Sequence, residues 1–101
     1  MVNGARRRAL EKGLDFDLDL EWLKEKIEAG KCEATGLAFD LTPSKAYWKN
    51  PYGPSLDRIE AGGGYTKDNT RVVVAIFNMS VNEWGEETFW EFVNSLRTPS
   101  K

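Results

Sequence analysis

The spacing of apolar residues predicts helices in the first third of the chain. The stretch "NGARRRALEKG" combines good helix formers with a closing glycine, which predicts a short helix or turn with arginines on its exposed faces. Leu20, Leu23 and Ile27 then recur at helical spacing and predict a second helix. Asp19 is suited to cap its first turn, and Gly30 stands where a glycine commonly ends a helix.

Turn-forming residues dominate the following segment, "KCEATGLAFDLTPSKAYWKNPYGPS", which predicts mostly irregular structure. Short extended pieces around Cys32 and over residues 38–41 are candidates for pairing. Further along, "SLDRI" alternates as a strand does, "AGGGYTKDN" predicts a loop, and the β-branched "TRVVVAI" predicts a buried strand. The pattern therefore predicts two strands joined by a loop.

The last quarter of the chain predicts two helices separated by Gly85. The second strand is expected to run directly into the first of them, through "AIFNMSVNEW", with Ile76, Met79 and Val81 facing inward. The other covers about residues 86–97, has acidic residues in its first turn and ends before Pro99. Its predicted inward face consists of Phe89, Phe92, Val93 and Leu96.

These elements predict an α+β fold in a small single domain of residues 1–101. Its centre is a two-stranded hairpin followed by a helix, a ββα unit of about residues 54–84, with helices on both sides. The chain is 41% hydrophobic and contains four Trp, five Phe and three Tyr. Aromatic side chains remove large apolar areas from water, so this number is expected to support a core in so short a chain.

Charge is distributed unevenly along the chain, although the net charge is only −2. A basic segment of residues 1–13 precedes an acidic stretch at 15–28, and residues 45–71 are basic again. A local basic surface can bind phosphate on a protein that is acidic overall, while a solvated surface of mixed charge is the alternative. The candidate nucleic-acid contacts are Arg6, Arg7, Arg8, Lys12, Lys45, Lys49, Lys67 and Arg71.

The sequence carries no sign of a membrane or secretory protein. No apolar run approaches the length of a membrane span, and "MVNGARRRALEKG" lacks the apolar region of a signal peptide. The single Cys32 has no partner within the chain for a disulfide, as is usual in a reducing compartment. We expect a soluble cytoplasmic protein without a membrane partner.

Three polar residues of the ββα unit are candidates for metal-assisted phosphate chemistry. Such chemistry needs a hard cation held by oxygen ligands with open coordination positions. In a ββα unit, a carboxylate near the end of the first strand can face a side chain on the following helix, and Asp57 and Asn78 occupy these two places. Asn69, at the start of the second strand, is positioned to hydrogen-bond the loop and fix its turn.

The stretch "PSLDRIEAGGGYTKDNTRVVVAIFN" resembles the core of the HNH (His-Me finger) endonucleases, particularly small phage-borne members. The resemblance implies a ββα-metal-like core that acts on DNA with Mg²⁺ or Mn²⁺. It assigns metal binding to Asp57 and Asn78 and the middle Asn of the motif to Asn69. It also implies a phage or mobile-element origin.

The main departure from this family is Arg58, which stands where the general-base His belongs, in a chain without any His. Arginine remains protonated at ordinary pH and cannot accept a proton from water, but it can contact the scissile phosphate. Metal-bound hydroxide, Glu60 or the phenol of Tyr65 would have to supply the base. Arg58 has a structural alternative as well, an ion pair with Asp57, Glu60 or Asp68.

A second departure concerns the structural zinc site of many members. Only Cys32 is present, and Thr35 stands where the second Cys of the knuckle would be, so no structural zinc is expected. Packing by four aromatic residues is expected to replace it: Trp22, Phe39, Trp48 and Tyr52. The three glycines at 62–64 are expected to provide left-handed backbone or close approach to a ligand backbone.

Two functions follow from these residues. The first is a DNA-binding, metal-dependent endonuclease or nickase with Asp57, Arg58, Asn69 and Asn78 in its catalytic site. The alternative is a catalytically altered or inactive factor that binds nucleic acid or protein, for example a phage inhibitor of a host nuclease.

Overall fold

The computed structural model describes residues 1–42, 50–81 and 84–96 and has an α+β architecture of four helices and a two-stranded antiparallel sheet. The elements are α1 (Val2–Lys12), α2 (Leu20–Glu28), β1 (Pro54–Arg58), β2 (Thr70–Val74), α3 (Ala75–Val81) and α4 (Glu86–Ser95). The predicted class and the order of strand, strand and helix are confirmed. Lys45, Trp48, Lys49 and Pro99 lie outside the described residues. In the described part, no helix combines the length and apolarity needed to cross a membrane.

The first two helices begin and end where their capping residues predict. Gly13 ends α1 in the left-handed conformation, with φ of 68°, which a glycine adopts without a Cβ clash. The carboxylate of Asp19 accepts a hydrogen bond of 2.8 Å from the backbone N–H of Trp22 and caps α2. Gly30 follows α2 with φ of 80°. Local sequence signals therefore determine the ends of both helices.

β2 lies at the centre of the apolar core. Val72, Val73 and Val74 are fully buried. Val72 packs in a cluster with residues of α1 and α2, whereas Val73 and Val74 pack with Cys32 and residues of α3. Burial of one such side chain stabilises the fold by about 1.5–3 kcal/mol, so β2 holds the two clusters together. The strands pair antiparallel, in a register that places Asp57 of β1 opposite Arg71 of β2.

The segment between α2 and β1 folds only partly as predicted. An isolated antiparallel bridge joins Lys31 to Ala38, which confirms the pairing of its extended pieces. Trp22 is buried and Phe39 packs against both apolar clusters. Tyr52 is 46% exposed, so the prediction that it packs in the core is wrong.

The inward faces of the last two helices differ from the prediction. Ala75, Phe77 and Val81 are the buried residues of α3, whereas Ile76 and Met79 are 44% and 73% exposed. The apolar residues of this helix lie in two rows. The row that contains Phe77 faces the core, because α3 begins directly after β2.

In α4, Phe89 contacts Phe77 with ring centroids 5.3 Å apart, but Phe92 and Leu96 are exposed. No residue of α4 is buried, so this helix contacts the core only along one edge of its apolar face.

The loop of residues 59–69 packs closely against the segment that follows α1. Tyr65 donates a backbone hydrogen bond of 2.9 Å to Asp15, and its carbonyl accepts one of 3.2 Å from Asp17. A Cβ on Gly64 would lie 2.4 Å from the carbonyl oxygen of Asp15. None of the three glycines at 62–64 has positive φ, so the prediction of left-handed backbone is wrong. The close approach that Gly64 permits is to the backbone of the protein itself.

We expect Gly64→Ala to destabilise the fold, because its Cβ would collide with the backbone carbonyl of Asp15. Overpacking of this kind costs about 1–3 kcal/mol. Gly62→Ala is the matched control, since nothing lies within 4 Å of its Cβ position and its φ is not positive. Urea unfolding followed by Trp fluorescence measures both free energies of unfolding. Equal values for the two variants would contradict the close packing of this loop.

Candidate functional site

A groove of about 900 Å³ runs along β1, between the first turns of α1 and the residues of α3 and α4 that face the sheet. Its polar lining consists chiefly of Arg8, Ser55, Asp57, Arg58, Arg71 and Asn78. Three of the four predicted catalytic residues therefore share one groove, and Asn69 lies outside its lining.

Asp57 is held in an ion pair across the sheet. Arg71 Nε donates a hydrogen bond of 2.8 Å to Oδ2 of Asp57, and the Asp57 side chain is only 14% exposed. Nη2 of the same guanidinium donates to Glu86 at the start of α4. Arg71, which was predicted to contact nucleic acid, is thus engaged by two carboxylates. This three-residue bridge connects β1, β2 and α4.

Asn78 is tied to β1 by its side-chain amide. Its Nδ2 donates to the hydroxyl of Ser55 at 2.8 Å and to the backbone carbonyl of Leu56 at 2.9 Å. Because Ser55 and the Leu56 carbonyl both accept hydrogen bonds, the amide nitrogen of Asn78 must face them. Its Oδ1 therefore points away from Leu56. Asn78 is half-buried and lines the groove next to the strand that carries Asp57. It is therefore not an exposed position of α3.

Arg58 does not form an ion pair with Asp57, Glu60 or Asp68, within the part of the chain that the structure describes. Its Nη1 instead donates a hydrogen bond of 3.0 Å to the carbonyl of Gly63. Its guanidinium carbon lies 4.8 Å from the centroid of the Tyr65 ring. The charge of Arg58 is therefore directed into the groove without a carboxylate to neutralise it.

Asn69 holds the loop that follows Arg58. Its Oδ1 accepts a hydrogen bond of 2.9 Å from the backbone N–H of Glu60, and its Nδ2 donates to the carbonyls of Glu60 at 3.2 Å and Gly64 at 2.9 Å. The predicted hydrogen bonding of Asn69 to the loop is confirmed. Asn69 thus acts on the groove indirectly, by fixing the loop that carries Tyr65.

The other predicted basic contacts separate into distinct groups. Arg6, Arg7 and Lys12 are exposed on α1 and do not line the groove, and Arg6 lies over the ring of Phe16. Lys67 forms a 3.0 Å ion pair with Asp19, and their hydrogen bond raises the pKa of Lys67. On α1, Arg8 lines the groove, with its Nε 3.0 Å from the hydroxyl of Tyr65.

Sequence reasoning missed Ser55 and Glu86 and considered Tyr65 only as a substitute base. Ser55 accepts from Asn78, and Glu86 accepts from Arg71. Tyr65 is 6% exposed and contacts Arg8, a residue 57 positions earlier. No sequence signal connects positions that far apart, and the contact depends on how the loop docks.

The groove offers few metal ligands. No group of three or more His, Cys, Asp and Glu residues is arranged to hold a metal ion, within residues 1–42, 50–81 and 84–96. Asp57 and Asn78 provide one carboxylate and one amide oxygen. This set suits Mg²⁺, which keeps several waters and often takes only one or two carboxylates from the protein. Binding would use Oδ1 of Asn78, which faces away from Leu56, and would compete with Arg71 for Asp57.

Comparison with known proteins does not extend this description. No protein-family model matches the chain, and no curated protein or solved structure matches it significantly. The chemistry of the groove is therefore inferred from its own geometry and from the sequence resemblance.

We expect Glu86→Gln to lose more stability at pH 7 than at pH 3. The indole N–H of Trp90, at 3.0 Å, and then Arg71 lower the pKa of Glu86 below its ordinary value of 4.5. A carboxylate with a lowered folded-state pKa stabilises the protein fully above its unfolded pKa, and this contribution is lost as the pH falls through the folded value. Because Glu86 is 41% exposed, we expect a difference below about 1 kcal/mol.

Urea unfolding at both pH values tests this expectation, with Glu87→Gln as the control. Glu87 is exposed in the same first turn of α4. The same pH dependence in both variants would show that Glu86 has no special role.

Proposed function

We propose that the protein is an HNH-like DNA-binding protein that acts as a metal-dependent endonuclease or nickase. The observation that carries this proposal is the arrangement of Asp57 and Asn78. They lie 21 positions apart in the sequence, yet Asn78 is hydrogen-bonded to the residue before Asp57 and both line one groove. A carboxylate near the end of the first strand and an amide on the following helix are the positions that the resemblance assigns to the metal ligands.

In this proposal Asp57 and Asn78 hold Mg²⁺ or Mn²⁺ in the groove. The cation would polarise a phosphodiester and stabilise the oxygen that leaves. Asn78 is already oriented for this task, because Ser55 and Leu56 fix its amide nitrogen. Asp57 must exchange its hydrogen bond with Arg71 for the ion. Glu86 retains Arg71 when this exchange occurs, so the released guanidinium keeps a partner.

Arg58 would bind the phosphate that is cleaved. Its guanidinium is fixed by the carbonyl of Gly63 and by Tyr65, and towards the described residues it uses one of its five N–H groups. An arginine in this position stabilises charge that develops on phosphate but cannot take a proton from water. Glu60 is exposed and does not line the groove, so it is poorly placed as a substitute base.

The second candidate is a catalytically altered or inactive HNH-like factor that binds nucleic acid or protein. The Asp57–Arg71 ion pair and the absence of His favour it. The loss of a positioned general base costs on the order of 10²–10⁴ in rate, which leaves a nuclease of this kind slow. Metal-dependent nicking separates the two candidates. With either function, the protein would act on its partner inside the cell, in line with the expected cytoplasmic location.

For the nuclease, we expect nicking of supercoiled plasmid in Mg²⁺ or Mn²⁺, none in EDTA, and none for Asp57→Ala. Asp68→Ala is the matched control, because this exposed carboxylate of the neighbouring loop does not line the groove. Arg58→His should raise the rate by on the order of 10² or more by restoring a base. Agarose gels measure the nicked fraction over time. Folded wild-type protein and Arg58→His protein that both fail to nick in either metal would exclude the enzyme.

We expect Arg71→Gln to tighten Mn²⁺ binding roughly tenfold, because it removes a positive charge that competes for Asp57. Electron paramagnetic resonance of free Mn²⁺ measures the affinity without any need for activity. Arg6→Gln, a charge change on the outer face of α1, is the control. Unchanged affinity in Arg71→Gln would show that the ion does not bind at Asp57.

A further inference from the structure

Two arginines from distant parts of the sequence meet at one buried tyrosine. The guanidinium carbons of Arg8 and Arg58 lie 5.3 Å and 4.8 Å from the centroid of the Tyr65 ring. Both arginines are half-buried, and both line the groove that contains Asp57 and Asn78. The fold therefore brings two positive charges together beside the proposed metal ligands.

Both guanidinium groups are held in place. Arg8 Nε donates to the Tyr65 hydroxyl and Arg58 Nη1 to the Gly63 carbonyl, each at 3.0 Å. Tyr65 is fixed in turn by its backbone hydrogen bonds to Asp15 and Asp17. Towards the described part of the chain, each arginine donates one of its five N–H groups. Such preorganisation lowers the entropy that binding would otherwise cost.

No carboxylate lies within 4.0 Å of Arg8 or Arg58, in the described ranges of the chain. The nearby acids of the groove, Asp57 and Glu86, are already paired with Arg71. Two unneutralised cations at one aromatic ring repel each other, and an anion that both contact reduces this cost. Phosphate is the anion that guanidinium groups bind best, through paired hydrogen bonds.

Gly4 makes room for the Arg8 head group. A Cβ at Gly4 would lie 3.2 Å from Nη1 of Arg8, and Gly4 itself lines the groove. Glycine inside a helix is less favourable than alanine. In α1 this glycine leaves space for a guanidinium one turn later, which keeps Arg8 at the groove.

We propose that Arg8, Tyr65 and Arg58 form a second phosphate site, in which Arg8 binds a phosphodiester adjacent to the cleaved one on the same DNA strand and Arg58 lies between the two phosphates. The proposal rests on the proposed function for the identity of the strand. Arg58 shares Tyr65 with Arg8, and both arginines line the groove that Asp57 and Asn78 also line, so a DNA strand bound along the groove could contact all four residues. Tyr65 is a positioning residue, since its buried ring is not available to stack on a base.

The test measures DNA affinity in EDTA as a function of salt for wild type, Arg8→Gln and Arg7→Gln. Arg7 is the matched control, because it is the exposed neighbour on α1 outside the groove. For duplex DNA, loss of one phosphate contact reduces the slope of log K against log salt by about 0.9. We expect this reduction in Arg8→Gln and little change in Arg7→Gln. Equal changes in both would overturn the site in favour of a diffuse basic surface.

Tyr65→Phe probes the geometry of the site. It keeps the ring but removes the hydroxyl that orients Arg8, so DNA binding should weaken in the wild-type background and not weaken further in Arg8→Gln. Additive losses would overturn the positioning role, and circular dichroism verifies that each variant is folded.

Two further arms identify the source of the phosphate. If inorganic pyrophosphate binds in an Arg8-dependent manner and DNA does not bind at all, the site belongs to a small phosphate compound. This result would overturn the proposal that a DNA strand binds there. An Arg8-dependent salt slope in a protein that does not nick DNA would support the site while the nuclease proposal fails. Nicking activity, combined with DNA binding that does not depend on Arg8, would overturn the second phosphate site and support the nuclease proposal.

Discussion

The docking of the loop 59–69 onto the segment after α1 is the interaction on which the groove depends. Two backbone hydrogen bonds join Tyr65 to Asp15 and Asp17, and Gly64 permits this approach because it has no Cβ. The contact buries Tyr65 in the cluster that α1 and α2 share with Val72. It therefore brings an arginine of α1 to the strand that carries Asp57. Without it, the sheet would keep its register and the groove would lose one wall.

The charges of the groove fall into a neutralised half and an unneutralised half. Arg71 satisfies Asp57 and Glu86 and links both strands to α4. Among the residues that the structure describes, Arg8 and Arg58 contact an aromatic ring and neutral oxygens but no carboxylate. A cation favours the first half and a phosphate the second. Under the proposed function the groove would bind a phosphate accompanied by a metal ion, which is the combination that the sequence resemblance implies.

The sequence predicted those features that depend on local chemistry. Asp19 and Gly30 delimit α2 because caps act within one turn, and the β-branched run of β2 predicts its burial. The bracing role of Asn69 was equally visible, since an Asn at the end of a loop commonly bonds to its backbone. The pairing of Asp57 with Arg71 could not be predicted, because it depends on strand register. Nor could the exposure of Ile76, because α3 carries two apolar rows and tertiary packing selects one.

The distance in sequence between Arg8 and Tyr65 has a consequence for how the protein forms during synthesis. α1 leaves the ribosome first, but its buried residues pack against Tyr65 and Val72, which are made much later. The loop-closure entropy of such non-local contacts must be overcome before they stabilise the chain. The nascent N-terminal helix is therefore expected to stay without its partners until β2 has emerged. The wall of the groove that carries Arg8 is then completed in the same step as the core.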